Sequence, residues 1–291
     1  MKSIAVVFTL VTSLTLHSAD APKEPAADNP VLGVWKNKAD SSIVLHFQPR
    51  KIAWLQNGLL QFGLVKYEPE KVHIWIYGKK KMTWGTDFDE QELLITAGGK
   101  PSPWVKQTEV PKELEIPVIK LGEPKVIPAE KLKALQATLK EKSGQLVSMS
   151  KDATLGAQRE KLVAEISTLL KETVMELGWI DAKRFSKPTA ETAFELLQKC
   201  GDVPLLVTVL PELQKEALAG NLGGMDFARF YDRTKLAIGE RQKYGTQLGK
   251  TEKGELLVLP LEDRAKVDEF RKELKLSPLA ADKDLKYEEG W

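Results

Sequence analysis

The stretch KVHIWIY, residues 71–77, decides how the first third of the chain reads. Val72, Ile74 and Ile76 fall on alternate positions, so in an extended chain they share one face. A period of two is the mark of a strand with one side buried. SIVLHF, residues 42–47, repeats it through Ile43, Leu45 and Phe47. Between Leu32 and Thr108 such runs are separated by Asn57-Gly58, Gly78-Lys79 and Gly98-Gly99, dipeptides suited to tight reversals. The order predicts an antiparallel meander over residues 30–108. Five of the seven tryptophans lie in it (Trp35, Trp54, Trp75, Trp84, Trp104), and on a small curved sheet they are expected to fill a barrel. His46 and His73 also fall here without partners at metal-ligand spacing, so no metal site and no cofactor is expected.

Ahead of the strands, MKSIAVVFTLVTSLTLHSADA carries one lysine, an apolar run from Ile4 to Leu16 and small residues at Ser18, Ala19 and Ala21. As a helix, that run rises only about 20 Å, short of the roughly 30 Å hydrocarbon core. It predicts a secretory signal over residues 1–19, cleaved after Ala19. The mature protein is then expected to be secreted or periplasmic, with no integral membrane segment. No cysteine stands near the cleavage point, which argues against a lipid anchor.

With 291 residues, 42% hydrophobic and 29% charged, the chain is long enough for two domains of about 100–200 residues each. The 43 basic and 41 acidic residues nearly cancel, and no nucleic-acid partner is expected. The longest basic run, Lys79 to Lys81, suits a solvated hairpin tip. A lone cysteine, Cys200, cannot form an internal disulfide, and the apolar helical pattern before it predicts a buried, inert thiol.

After the strands, residues 109–128 carry four prolines (Pro111, Pro117, Pro124, Pro128) and read as a semi-rigid linker. From residue 129 the period becomes helical. Leu132, Leu135, Leu139, Leu146 and Met149 mark one helix; Leu155, Leu162, Ile166, Leu169, Leu170 and Leu177 mark a second. Shorter helices follow in TAETAFELLQKC and PLLVTVLPELQKEALAG, where Pro211 is expected to kink or split the helix. MDFARFYDRTKLAIG is another, closed at Gly239. A hairpin is expected around Gly249 to Gly254, then a last helix over LEDRAKVDEFRKEL capped by Asp263. The fold class is α+β with two domains: a small antiparallel barrel or meander, then a mainly helical domain over 129–291 with one small hairpin.

Between the helix and the hairpin lies RQKYGTQ, residues 241–247, dense in hydrogen-bonding groups. The candidate ligand-binding residues are Asp232, Arg233, Gln242, Tyr244, Thr246, Gln247 and Gln198. Gln242, Tyr244, Thr246 and Gln247 have donors and acceptors but no proton that titrates near neutrality, so recognition or a buried polar network suits them better than acid–base work. One of Asp232 and Arg233 can reach the following loop and tie down its backbone. Residues 129–291 contain no histidine, which excludes Ser-His and Cys-His nucleophilic schemes there. Carboxylates near the loop (Asp226, Asp232, Glu262, Asp263) leave glycoside-type hydrolysis open.

The ordered run of Gln158-Arg159, Gly178-Trp179, LLQKCGD, VLPELQKEALAG, Tyr231-Asp232-Arg233, the G-x-x-Q-x-Y-G-T-Q segment from Gly239 to Gln247, and LEDRAKVDEFRKELKLSPL resembles a bacterial family of unknown function. The resemblance covers about 130 residues and implies a fold class and a set of positions, but no activity. Members typically show Gln-His where this chain has Gln198-Lys199, and Asp-Gln where it has Ala157-Gln158. In the other half, Gly33-Val34-Trp35 is similar to the Gly-x-Trp opening of lipocalin-type barrels. Together these readings predict an exported, non-catalytic module that binds a small molecule or protein partner. The alternatives are an extracytoplasmic hydrolase using carboxylates near the loop, and a small-molecule carrier using the tryptophan-rich sheet.

Overall fold

The computed structural model describes residues 28–89, 91–150, 153–251, 253–279, 285–288 and 291. The expected signal over residues 1–19 lies outside them.

Eight strands form a closed barrel: β1 (Gly33–Asn37), β2 (Ile43–Phe47), β3 (Lys51–Gln56), β4 (Leu59–Glu68), β5 (Lys71–Trp75), β6 (Met82–Asp89), β7 (Glu92–Ala97) and β8 (Lys100–Gln107). Each pairs antiparallel with the next, and β8 returns to β1 with Val34 opposite Gln107 and Asn37 opposite Trp104. Closure leaves no unpaired edge. The alternation seen in the sequence sets inside against outside. Leu45, Phe47, Val72, Ile74 and Ile76 join Trp35, Trp84 and Trp104 in one buried interior cluster, with Trp54 packed against it. Trp54 and Trp84 meet edge to face with ring centroids 5.3 Å apart. Trp75 departs from the barrel-filling expectation. It stands on the outer surface with Leu64 and Tyr77, buried against Leu236 of the helical region.

That outer surface is where the two halves join. Val34, Val44, Ala53 and Phe62 form an apolar cluster with Leu114 and Ile238, flanked by Val203 and Val207. The proline-rich segment is held against this assembly. Leu114 is buried in the joint, Ile119 enters the helical core, and the Gly122 N–H donates to the Val174 carbonyl at 2.9 Å. The proline-rich segment is thus fastened at Leu114, Ile119 and Gly122. Leu114, Ile116, Ile119, Leu121 and Ile127 pack against the two halves, which the proline count alone does not foretell, while Val118 and Val126 stay exposed.

Seven helices follow among the described residues: α1 (Ala129–Met149), α2 (Gly156–Leu177), α3 (Ala182–Phe185), α4 (Lys187–Leu197), α5 (Val203–Leu218), α6 (Gly224–Ala237) and α7 (Val267–Glu273). Leu162, Ile166, Leu170 and Val174 of α2 are buried in the same core as Phe194 and Leu197 of α4 and Leu205 and Val209 of α5. The four α2 positions recur every four residues, the spacing of one helix face. Pro211 does not split α5, which runs unbroken from Val203 to Leu218. Proline removes the bond to the Val207 carbonyl, and burial of Leu206, Val209, Leu210 and Leu213 around it keeps the helix in place.

The hairpin is β9 (Leu248–Lys250) against β10 (Leu256–Val258), and β11 (Lys286–Tyr287) adds in parallel to β10. The last helix is shorter than its sequence pattern. Asp263 accepts from the Ala265 and Lys266 amides, so it caps a preceding turn and α7 begins only at Val267.

The end of α6 positions everything that follows. Gly239 donates to the Leu236 carbonyl and Glu240 to the Lys235 carbonyl, the paired bonds of a Schellman stop. Gly239 has φ +70°, and a Cβ there would lie 2.7 Å from the Gly63 carbonyl oxygen of β4. Helix end and barrel thus meet backbone to backbone. Gly220 has a similar φ of +79° with open space around it. Gly220→Ala is therefore expected to cost about 1–2 kcal/mol from the left-handed conformation alone. Gly239→Ala should cost at least about 2 kcal/mol more, because it also pushes the barrel off. Chemical denaturation of both variants checks this; equal losses would mean that the close approach carries no energy.

Candidate functional site

Asp232 lies one turn and a half before the α6 stop, and its side chain is fully buried. Its carboxylate gathers the loop that follows. Oδ1 accepts from the Lys243 amide at 2.8 Å and the Tyr244 amide at 2.9 Å; Oδ2 accepts from the Thr246 amide at 2.9 Å and the Thr246 hydroxyl at 2.8 Å. Gly245, between these donors, has φ +68°, which lets the chain turn its amides inward. Burial pushes the Asp232 carboxyl above the ordinary aspartate value, opposed by the donors of Tyr244, Thr246 and Lys243. Asp232, and not Arg233, is the residue that ties down the loop.

Gln242 is equally buried and works from the other side. Its amide nitrogen donates to the Gln247 and Leu259 carbonyls at 3.0 and 2.8 Å, and its oxygen accepts from the Gln247 amide at 2.8 Å. This stitches the loop to the residue just after β10. The Gln247 side chain faces the barrel, where its oxygen accepts from the Tyr77 hydroxyl at 2.8 Å while its nitrogen donates to the Arg229 carbonyl. Arg271 of α7 reaches the Tyr244 carbonyl at 2.7 Å. Sequence reasoning missed both Tyr77 and Arg271. Tyr77 lies 170 residues from its partner, and Arg271 sits within an ordinary amphipathic pattern.

The structure divides the seven candidates. Asp232, Gln242, Tyr244, Thr246 and Gln247 form one connected network. Arg233 lies apart from it, donating to the Gln198 main-chain carbonyl at 3.1 Å and standing over the Phe230 ring. Within the network, the Tyr244 hydroxyl has no hydrogen-bond partner among the described residues, although the whole side chain is buried against Phe227 and Tyr231. Lys199 is exposed. Cys200 is buried, its sulfur donates to the Leu196 carbonyl, and burial raises its thiol to about 11.

Beside the loop lies an open cleft of about 360 Å³ between the two halves. The barrel supplies Gln48 and Arg50 from the β2–β3 turn and Lys51 from the start of β3; the segment after α6 supplies Glu240 and Arg241, and Glu262 also lines the cleft. Lys51 pairs with Glu240 across the cleft at 3.6 Å, and Lys235 holds the other Glu240 oxygen at 2.7 Å. Burial works to lower the Lys235 ammonium, but its bond to Glu240, with Tyr231 and Glu262 nearby, holds it above the ordinary lysine value. Among the described residues, no group of three or more His, Cys, Asp or Glu is placed to hold a metal ion. None of the described helices is long and apolar enough to cross a membrane.

A closed eight-stranded barrel fastened to a helical domain, with a buried carboxylate network at the joint, defines a two-domain α+β protein. The chain belongs to a family described as a family of unknown function (DUF6624), which matches residues 135–288, just over half of its length. The match begins inside α1 and leaves the barrel outside. No curated protein and no solved structure matches the chain.

Two outcomes follow for the network. Asp232→Asn turns an amide group toward donors and should cost about 2–4 kcal/mol of unfolding free energy, whereas Tyr244→Phe removes an unpartnered hydroxyl and should be neutral within about 0.5 kcal/mol or stabilising. Urea denaturation separates these, and a large loss in Tyr244→Phe would show that the hydroxyl is engaged. Cys200 is buried and burial raises its thiol, so a thiol reagent should label the native protein only at the rate of unfolding. Rapid labelling of the native protein would contradict the buried placement.

Proposed function

We propose that this protein is an exported, non-catalytic binding module that receives a small molecule or partner at the cleft between barrel and helical domain. One observation carries the reading. Asp232 and Gln242 hold the backbone of residues 243–247 within the protein, whereas the charged side chains of Arg50, Lys51, Glu240, Arg241 and Glu262 line a concave surface beside Gly239. Joints between domains are favoured places for ligands, because two rigid walls can present complementary groups. The apolar run at Ile4 to Leu16 supports export.

The hydrolase alternative has less support. Asp232 accepts four bonds from its own loop and presents no oxygen to a substrate. Glu240 and Glu262 do line one cleft, but both Glu240 oxygens are already engaged, one by Lys51 and the other by Lys235. The carrier alternative would require a ligand to displace the interior cluster of Trp35, Trp84 and Trp104. Screening the mature protein against glycans, peptides and esters tests the choice. A rise in melting temperature with at least one ligand class and no product from any is the expected result. Turnover lost in Glu262→Gln with folding intact would overturn it.

A further inference from the structure

We propose that the protein binds a carboxylate or phosphate group at Arg233, where α6 runs beside the barrel and apart from the cleft. Arg233 is half-buried, yet its guanidinium meets no counter-charge among the described residues. Nη2 donates to the Gln198 main-chain carbonyl at 3.1 Å, and the central carbon lies over the Phe230 ring, 5.8 Å from its centroid. Both contacts are with neutral groups. A guanidinium has five N–H donors, and the Gln198 carbonyl takes one of them. Charges drawn out of water are normally paired. The donors left over form a planar fork that matches the two oxygens of a carboxylate or phosphate.

The acids of α6 are turned elsewhere. Asp232 gives both oxygens to donors of residues 243–246. Asp226 turns its carboxylate back toward Gly223 at the start of the helix. Arg229, four residues before Arg233 and on the same helix face, is exposed and forms no ion pair among the described residues. Like charges at that spacing repel, and an anion between them would relieve the repulsion. Lys199, next to Gln198 in the chain, is exposed as well and adds a further positive charge at the end of α4.

The backing of this face is fixed from both halves of the molecule. The Tyr77 hydroxyl of the barrel donates to Gln247 Oε1 at 2.8 Å, and Gln247 Nε2 donates to the Arg229 carbonyl at 3.2 Å. Burial raises the Tyr77 hydroxyl above its ordinary value, and the charge of Arg233 opposes that rise, so the guanidinium stands near this bridge. Groups held in place before binding lower the ordering cost of binding. Neither Arg229 nor Arg233 lines the cleft.

Calorimetric titration of the full mature protein at low ionic strength with inorganic phosphate, citrate and N-acetylglucosamine tests this. Phosphate or citrate should bind and the neutral sugar should not. Phosphate without citrate would assign the site to phosphorylated ligands, and the reverse to carboxylates. Arg233→Gln and Arg233→Lys should each weaken binding by about tenfold, the lysine because it keeps the charge and loses the fork. Arg229→Gln, at an exposed position, should weaken it by about threefold, and Lys51→Gln, in the cleft, should leave it unchanged. Denaturation midpoints report whether each variant keeps its fold. If the Arg233 variants unfold, Arg229→Gln and Lys51→Gln decide between the two places. Anion binding that survives Arg233→Gln, or is lost in Lys51→Gln, would overturn the proposal and leave the cleft as the binding site. No binding of either anion would overturn it without touching the cleft reading.

Discussion

The carboxylate of Asp232 is the constraint on which the joint depends. A buried charge of this kind costs several kcal/mol in lost hydration, and hydrogen bonds to a charged group return about 1.5–3 kcal/mol each. Four donors aimed at the two oxygens offset much of that cost, and burial still holds the carboxyl above the ordinary aspartate value. The value of the arrangement lies less in net stability than in uniqueness. Few other loop conformations place the amides of Lys243, Tyr244 and Thr246 and one hydroxyl around the same group.

From that fixed loop the rest of the joint follows. Gln242 ties it to the residue just after β10, Arg271 ties it to α7, and Gln247 meets Tyr77 of the barrel. The α6 stop brings Gly239 onto Gly63, and apolar contacts on either side of that point spread the docking across β1 to β5. The cleft is a by-product of this geometry. It opens where the β2–β3 turn overhangs the segment after α6, so its two walls keep their spacing only while the loop stays locked.

Much of this was legible in the sequence, for reasons of period. Val72, Ile74 and Ile76 could only face one way in a strand, and Leu162, Ile166 and Leu170 only one way in a helix. The dipeptides at Asn57, Gly78 and Gly98 placed the reversals. The tie between the α6 region and the following loop was legible too, because Asp232 stands a short distance before a glycine stop. What was hidden is long-range. Nothing in Trp75 or Tyr77 says that the outer side of the barrel is covered, and nothing in the prolines of residues 109–128 says that Ile119 is buried. Pro211 misled because the local cost of a proline was outweighed by burial on both sides of it. The cleft was invisible because Arg50 and Glu240 converge only after both halves have folded.

Residue-resolved hydrogen exchange of the native protein tests the central claim most directly. The backbone amides of Lys243, Tyr244 and Thr246 belong to no regular helix or sheet, and ordinary loop amides exchange quickly. If Asp232 locks them as described, they should be protected to nearly the level of the α2 and α6 core. Fast exchange at all three, with the core still protected, would contradict the lock and the architecture built on it.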